Sequence, residues 1–501
     1  MDGQSVKRVV VAGGGTAGWI AAATLSKLLG PLLEITLVES EEIGTVGVGE
    51  ATIPTHRTYH HLMGIDERDF MRATRATFKL GIGFENWARP GDRYIHSFGT
   101  LGKSTWMADF HHIWLEGRRQ GLAGELGEYC FEHQAAEAGR FATSDKARIN
   151  YAYHLDASLY AGFLRGIAEA HGVKRVEGKI AEVVQDGETG FIEALVLERG
   201  ERVEGDLFID CTGFRGLLIE QALKTGYEDW GHWLPTDAAW AVQTQSTGEV
   251  LPYTRSIAGE AGWQWRIPLQ HRVGNGMVFC SQYMEPDTAR EVLLNAVEGE
   301  TLTEPRLIRY RTGRRRRVWN RNCIALGLAS GFVEPLESTS IHLIQTTAIR
   351  LVQNFPFAGI HDALTERFNE QSRIELEQIR DFIVLHYRLN ERADAPFWQH
   401  CASMDIPETL ARRIALFEEN GIAYQAPDEL FRVDSWLQVM LGQRLEPYGH
   451  HLLGRLMTRE QLGQALAGLR GNIAQAVERM PAHADFLRQY GILDGAEPHR
   501  G

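Results

Sequence analysis

Val6-Lys7-Arg8-Val9-Val10-Val11-Ala12-Gly13-Gly14-Gly15-Thr16-Ala17-Gly18-Trp19 is the stretch on which the fold turns. A β-branched apolar run reads as a strand buried on both faces, as in a parallel sheet. It ends in G-x-G-x-x-G at Gly13, Gly15 and Gly18, and residues 19–29, rich in Ala and Leu, read as a helix. Residues 33–38 (LEITLV) form a second strand, and Glu39 follows about 20 residues after the last glycine. This is a β-α-β unit with a dinucleotide fingerprint at its turn. Gly13 permits the tight turn, Gly15 lets the backbone approach a pyrophosphate, and Gly18 lets helix and strand pack closely. Gly14, Thr16 and Ala17 complete the phosphate loop, and the helix N-terminus offers N–H groups to the phosphates. Glu39 is placed to accept the ribose hydroxyls, which disfavours a 2′-phosphate.

Working outward, α/β character returns at 155–230, with a helix over 157–171 and strands over 174–185 and 202–210. The last strand runs into Cys211-Thr212-Gly213. Alternation at 240–244, 263–267 and 276–280 predicts antiparallel strands. Beyond Pro335 the pattern is helical, with amphipathic segments at 373–386 and 459–479. The expected fold is α/β: a Rossmann-type FAD-binding domain of the flavin monooxygenase kind, a β-rich substrate-side part and a helical C-terminal region. The expected division is a module over 1–340 (core 6–55 and about 155–230, β-rich part about 237–320) and a helical region over 341–501 covering the substrate site.

The chain has 501 residues, 44% hydrophobic and 23% charged, with 52 Lys+Arg against 65 Asp+Glu and a net charge of −13. That balance disfavours nucleic acid as a partner. Arg314-Arg315-Arg316-Arg317 is too short a basic run to reverse it and reads as a solvated or anion-facing loop. No apolar run is long enough to span a bilayer and no signal peptide pattern opens the chain, so a cytoplasmic protein without membrane partners is expected. Five scattered cysteines without a C-x-x-C pair predict buried reduced thiols. The adjacent pairs His60-His61, His111-His112 and His450-His451 are not expected to face one another, and no metal site is expected.

The presence of one fingerprint only, and the strand 206–213 (DLFIDCTG) returning toward the cofactor as in flavin monooxygenases, favour FAD over NAD. Further motifs then align. GGGTAGW at 13–19, GVGEATIP at 47–54, Phe78-Lys79, W-x-W-x-I-P at 263–268 and EPLEST at 334–339 resemble, in order and spacing, the flavin-dependent tryptophan halogenases. The resemblance runs from about residue 6 to beyond 440 and is weaker in the helical C-terminal part. It implies that FADH2 from a separate flavin reductase reacts with O2, that chloride or bromide is converted to hypohalous acid, and that this oxidant travels through a tunnel to an aromatic substrate. Lys79 would hold or react with the oxidant and Glu337 would be the acid beside it. Thr339 and Ser340 would form the halide site. Trp263 and Trp265 would keep the flavin from acting as a monooxygenase. The resemblance also assigns Ser40, Ile43, Val46, Val48 and Ala51 to a strap over the flavin, Ile180, Leu328 and Ile341 to further flavin contacts, and His96 and Phe98 to the wall stacking on the substrate indole. The residue types suit these roles: an ammonium polarises an oxidant's oxygen and a carboxylate accepts a ring proton. Each also has a plainer reading, Glu337 as a helix cap, the tryptophans as core and His96 as a satisfied core histidine.

Two departures matter. Ser340 stands where the family usually has Gly. Near Ser435-Trp436-Leu437-Gln438 the paired tyrosines that clamp the amino acid's carboxylate and amine are missing. An indole lacking the amino-acid end, or a larger indole-bearing molecule, is therefore expected as substrate in preference to tryptophan. Two other readings stay open: a flavin monooxygenase that hydroxylates, and a non-catalytic flavin-binding protein. The oligomeric state, a homodimer included, is also open.

Overall fold

A computed structural model of the chain describes residues 5–43, 50–143 and 149–493. The expected positions Val46 and Val48 lie outside them. The chain divides into two compact units that interleave in sequence: Met1–Arg75, Leu155–Pro235 and Arg309–Glu377 form one, and Ala76–His154, Thr236–Ile308 and Gln378–Gly501 the other.

The first unit is Rossmann-type α/β. Its six-stranded sheet has the order Trp319–Asn320, Cys323–Ala325, Leu207–Asp210, Arg8–Ala12, Glu34–Glu39, Lys174–Glu177. All neighbours are parallel except the short edge pair Trp319–Asn320 and Cys323–Ala325. Val10 pairs with Phe208 on one side and Thr36 on the other and is buried, as the continuous apolar run requires. The fingerprint helix Thr16–Leu29 follows the first strand.

The run 174–185, expected as one strand, is two. Lys174–Glu177 joins the parallel sheet, while Ile180–Gln185 joins an antiparallel sheet with Ile192–Leu197 and Arg202–Glu204. The break falls at Gly178, whose φ of 151° is one that residues with a side chain rarely adopt. The basic run needs correcting too. Arg314 and Arg315 are buried on the strand Gly313–Arg315, Arg314 paired with Glu228 (2.6 Å) and Arg315 with Glu220 (2.7 Å); only Arg316 and Arg317 face solvent.

The second unit is built on a seven-stranded sheet of order Arg306–Arg309, Ala238–Thr244, Val273–Phe279, Gly262–Pro268, Thr254–Ala258, Gly81–Glu85, Arg93–Ser97. The three strands anticipated from alternation lie at its centre and are antiparallel. Its helices include Phe110–Arg119, Glu408–Asn420, Val433–Gly442, Arg459–Glu478 and His483–Gln489. Among the described residues no helix is long and apolar enough to cross a membrane.

Candidate active site

The G-x-G-x-x-G turn lies in the first unit, where Gly13 and Gly18 each have a steric reason. Gly13 has φ 107°, and a Cβ there would stand 2.4 Å from Cys211 O, at the end of the neighbouring parallel strand. A Cβ on Gly18 would meet Gly13 O at 1.8 Å, so helix and turn could not close. A Cβ on Gly15 would meet nothing within 4 Å: the space in front of the helix N-terminus is open. Gly14 has a reason of its own, because its Cβ would fall 1.4 Å from Glu39 Oε2. Glu39 thus lies over the loop, and its Oε1 accepts a hydrogen bond from Arg175 Nε at 2.5 Å. Thr16 Oγ1 reaches Ala157 O (3.4 Å). Ala17 touches the turn Gly327–Ala329, in which Leu328 is half-buried; a Cβ on Gly327 would lie 2.9 Å from that of Ala17. Ser40 accepts from Ile43 N (3.0 Å), Ile43 is exposed and Ala51 buried. Ile180 packs at the edge of the core cluster that includes Val10, Ala12 and Val38.

Farther along the same unit, Pro335–Glu337 forms a single 3-10 turn, Ser338 takes a left-handed conformation (φ 58°), and the helix Ser340–Gln353 begins. Glu337 and Thr339 are fully buried, Ile341 is buried and Ser340 half-buried. Thr339, the N-cap residue, makes no capping bond, and its buried Oγ1 has no hydrogen-bond partner among the described residues. A buried hydroxyl at the start of a helix, with a donor to give, suits a small anion.

Lys79 belongs to the second unit. It ends the strand Thr77–Lys79, which pairs antiparallel with Ala152–Leu155 in the register Lys79↔Ala152, and its side chain is fully buried. Phe78, on the opposite face, stacks on Phe141 (4.1 Å between centroids) and anchors the strand. Its N–H donates to His483 Nε2 (3.3 Å), while His483 Nδ1 donates to Val250 O (2.7 Å), which defines the tautomer. His154 lies between Thr77 Oγ1 (3.2 Å) and Thr254 Oγ1 (3.0 Å). Burial, and secondarily the charge of Lys79, hold His154 far below the usual imidazole range, so it remains neutral.

Lys79 Nζ lies 5.3 Å from the centroid of the Phe98 ring. His96, two residues earlier, is buried against Phe382 (5.4 Å) and Phe431 (6.2 Å). Phe382 also meets Trp436 edge-on at 4.9 Å. The Arg413 guanidinium is sandwiched between Tyr424 (4.0 Å) and Trp436 (3.8 Å) and bound to both carboxylate oxygens of Glu429 at 3.0 Å. Trp263 and Trp265 share a face of Gly262–Pro268, their centroids 6.1 Å apart, with Trp265 lying over Gly276.

The sequence as a whole matches a known family. The tryptophan halogenase family model covers residues 8–459. The chain belongs to that family. A tryptophan 6-halogenase, SttH from Streptomyces toxytricini, is 36% identical over 95% of this chain and 93% of its own length. Among solved structures, Xcc4156, a flavin-dependent halogenase from Xanthomonas campestris, superposes with a TM-score of 0.96 at 54% identity, covering 97% of this chain and 99% of that one. BrvH, a flavin-dependent halogenase from Brevundimonas sp. BAL3, gives a TM-score of 0.93 at 46% identity, with 98% and 99% covered. Membership makes the chain an enzyme, a flavin-dependent halogenase, and sets aside both the hydroxylase and the non-catalytic reading. Flavin-dependent halogenases generally take reduced flavin from a separate reductase and act on small molecules. The open space before Gly15 and the carboxylate over Gly14 fit FAD, which would lie along residues 13–18 and Glu39.

Sequence reading missed several features of the halogenase's second unit. It did not find the Arg413–Glu429 pair, whose members flank a loop, nor His154 and His483 behind the lysine strand, whose partners are distant in sequence. His111 and His112, not expected to face one another, have ring centroids 4.0 Å apart on Phe110–Arg119. Beside them the buried Glu116 receives His450 Nε2 (3.0 Å), Arg119 and Arg455.

Proposed function

We propose that this enzyme halogenates a neutral indole-type ring in preference to free tryptophan, using Lys79 and Glu337. The observation that carries the reading is the fully buried Lys79 beside the Phe98 ring, with a neutral histidine behind it. Bound reduced FAD with O2 supplies the oxidation of chloride or bromide to hypohalous acid. Thr339 and Ser340 hold the halide: the Thr339 hydroxyl and the first N–H groups of the helix are its donors. Gly13, Gly14, Gly15, Thr16, Ala17, Gly18 and Glu39 hold the cofactor's nucleotide end; Ser40, Ile43, Ala51, Ile180, Leu328 and Ile341 are its remaining contacts.

At the substrate, Lys79 Nζ donates to the oxygen of hypohalous acid and stabilises the hydroxide that departs as the ring carbon takes the halogen. The carbon–halogen bond forms as the halogen–oxygen bond breaks. Glu337 accepts the ring proton, so hypohalous acid and indole give haloindole and water. His96 and Phe98 hold the ring.

The preference for a neutral ring rests on the charges around His96 and Trp436, which already have partners. Arg413 is held by Glu429. Arg432 donates to Phe98 O (3.1 Å), and Asp434 accepts from Leu101 N (2.9 Å). An amino acid's ammonium and carboxylate would have to displace these pairs or go unpaired, a cost of several kcal/mol. Indole bears no such charge, and C3 is its most electron-rich carbon.

The test is an assay with an external flavin reductase, NADH, FAD and bromide or chloride. Haloindole that requires reduced flavin, O2 and halide together is the expected outcome. Oxygenated indole formed without regard to halide would refute the reading.

A further inference from the structure

The strand Arg93–Ser97, which leads into Phe98, is the last strand of the seven-stranded sheet. An edge strand presents backbone N–H and C=O groups with no neighbouring strand to take them. Here the partner is a helix. The side-chain amide of Gln438 acts as a strand would: its Oε1 accepts from Ser97 N (3.0 Å) and its Nε2 donates to Ser97 O (3.1 Å). The same Oε1 accepts from Ser97 Oγ at 2.8 Å. Two more residues at the start of that helix continue the clasp, Arg432 on the carbonyls of Phe98 and Gly99 and Asp434 on Leu101 N. On the inner side Phe98 N donates to Leu80 O (2.9 Å), next to Lys79. The backbone that carries Phe98 is therefore fixed from both sides, by the lysine strand's extension and by the helix Val433–Gly442, which also bears Trp436.

We propose that Gln438 is a positioning residue for ring halogenation: through the Ser97 peptide it fixes the spacing between the Phe98 ring and Lys79 Nζ, and so decides which ring carbon meets the oxidant. The proposal rests on the reading of His96 and Phe98 as the substrate wall. Replacing Gln438 leaves a buried peptide without its outer partners, and the strand shifts toward other ones. Misplacements of this kind lower productive encounters strongly without touching the reacting groups.

The experiment compares wild type, Gln438→Leu, Gln438→Glu and Phe98→Ala with indole and bromide, scoring kcat, KM, 3-bromoindole as a fraction of product, and hypobromite released to a solution trap. Gln438→Leu is expected to lower kcat/KM roughly ten- to hundred-fold, mainly in kcat, and to broaden the product mixture, with total hypobromite undiminished. Gln438→Glu keeps the size and the acceptor but, ionised, has no proton for Ser97 O. Its product ratio is expected to return toward wild type as pH falls and the buried carboxyl protonates, a profile that general destabilisation would not produce. It provides the same test if the leucine variant does not fold. Wild-type kcat/KM and product ratio in folded Gln438→Leu, or a pH-independent wild-type ratio in Gln438→Glu, overturns the proposal. If Phe98→Ala also behaves as wild type, the wall itself is misassigned; if Phe98→Ala changes the product and the Gln438 variants do not, only the role of Gln438 falls.

Discussion

Lys79 Nζ and the ring of Phe98 lie 5.3 Å apart inside the second unit, a cation facing an aromatic wall where neither is open to water. A buried ammonium next to a ring face gains from the ring's quadrupole. In the proposed mechanism this ammonium is the group that meets the oxidant.

Replacing it separates stability from activity. Lys79→Met keeps the volume and removes the charge. The variant is expected to remain folded, to consume O2 and release hypohalite as before, and to lose ring halogenation by about a hundred-fold or more. Melting curves together with product yield check both halves.

In the proposed mechanism Glu337 accepts a proton from a ring that loses it readily once the halogen is bound. Glu337→Gln is expected to slow halogenation by about a hundred-fold without abolishing it, since water can take the proton. A primary isotope effect with ring-deuterated indole, appearing in the variant only, would show that deprotonation has become limiting.

At the nucleotide end, the open space beside Gly15 gives a clean discrimination. Gly15→Val has room in the protein itself, so folding and melting temperature should be unchanged, while the added methyl groups occupy the pyrophosphate's approach. Flavin titration is expected to show no binding. Unchanged affinity would place the cofactor elsewhere.

His483 is pushed down to about 4 by burial, which outweighs its hydrogen bond to Val250 O. The unfolded chain, with an ordinary imidazole near 6.5, binds more protons between those values. Stability therefore falls as pH drops from about 6.5 toward 4, by at most about 1.4 kcal/mol per pH unit for this one proton. His56 and His112, both pushed down to about 3, act in the same direction. Denaturant unfolding of His483→Gln across that window should show a shallower acid slope than wild type; an identical slope would contradict the assignment.

What the sequence disclosed was set by how local each cause is. Gly18 meets Gly13 O within one turn, so its packing role could be read directly, and the alternating strands at 240–280 carry their own period. Arg314 and Arg315 looked solvated because their partners Glu228 and Glu220 come from a different segment. The single run 174–185 hid a break because β-type residues continue on both sides of Gly178, where the chain leaves the parallel sheet for the antiparallel one. Lys79 could be singled out only by resemblance, since burial of a lone lysine leaves no local signature. Gln438 was invisible: its partner Ser97 lies 341 positions away and is met through the backbone.

As proposed, this halogenase acts on a neutral indole ring at Lys79, with no grip on an amino acid's charged end. The most direct measurement is a competition in which wild-type enzyme, fed by an external flavin reductase with bromide and then chloride, is offered equal indole and tryptophan. Products are resolved by mass spectrometry and NMR. The expected result is 3-haloindole in large excess, absent in Lys79→Met. Conversion of tryptophan at C5, C6 or C7 with indole untouched would contradict it.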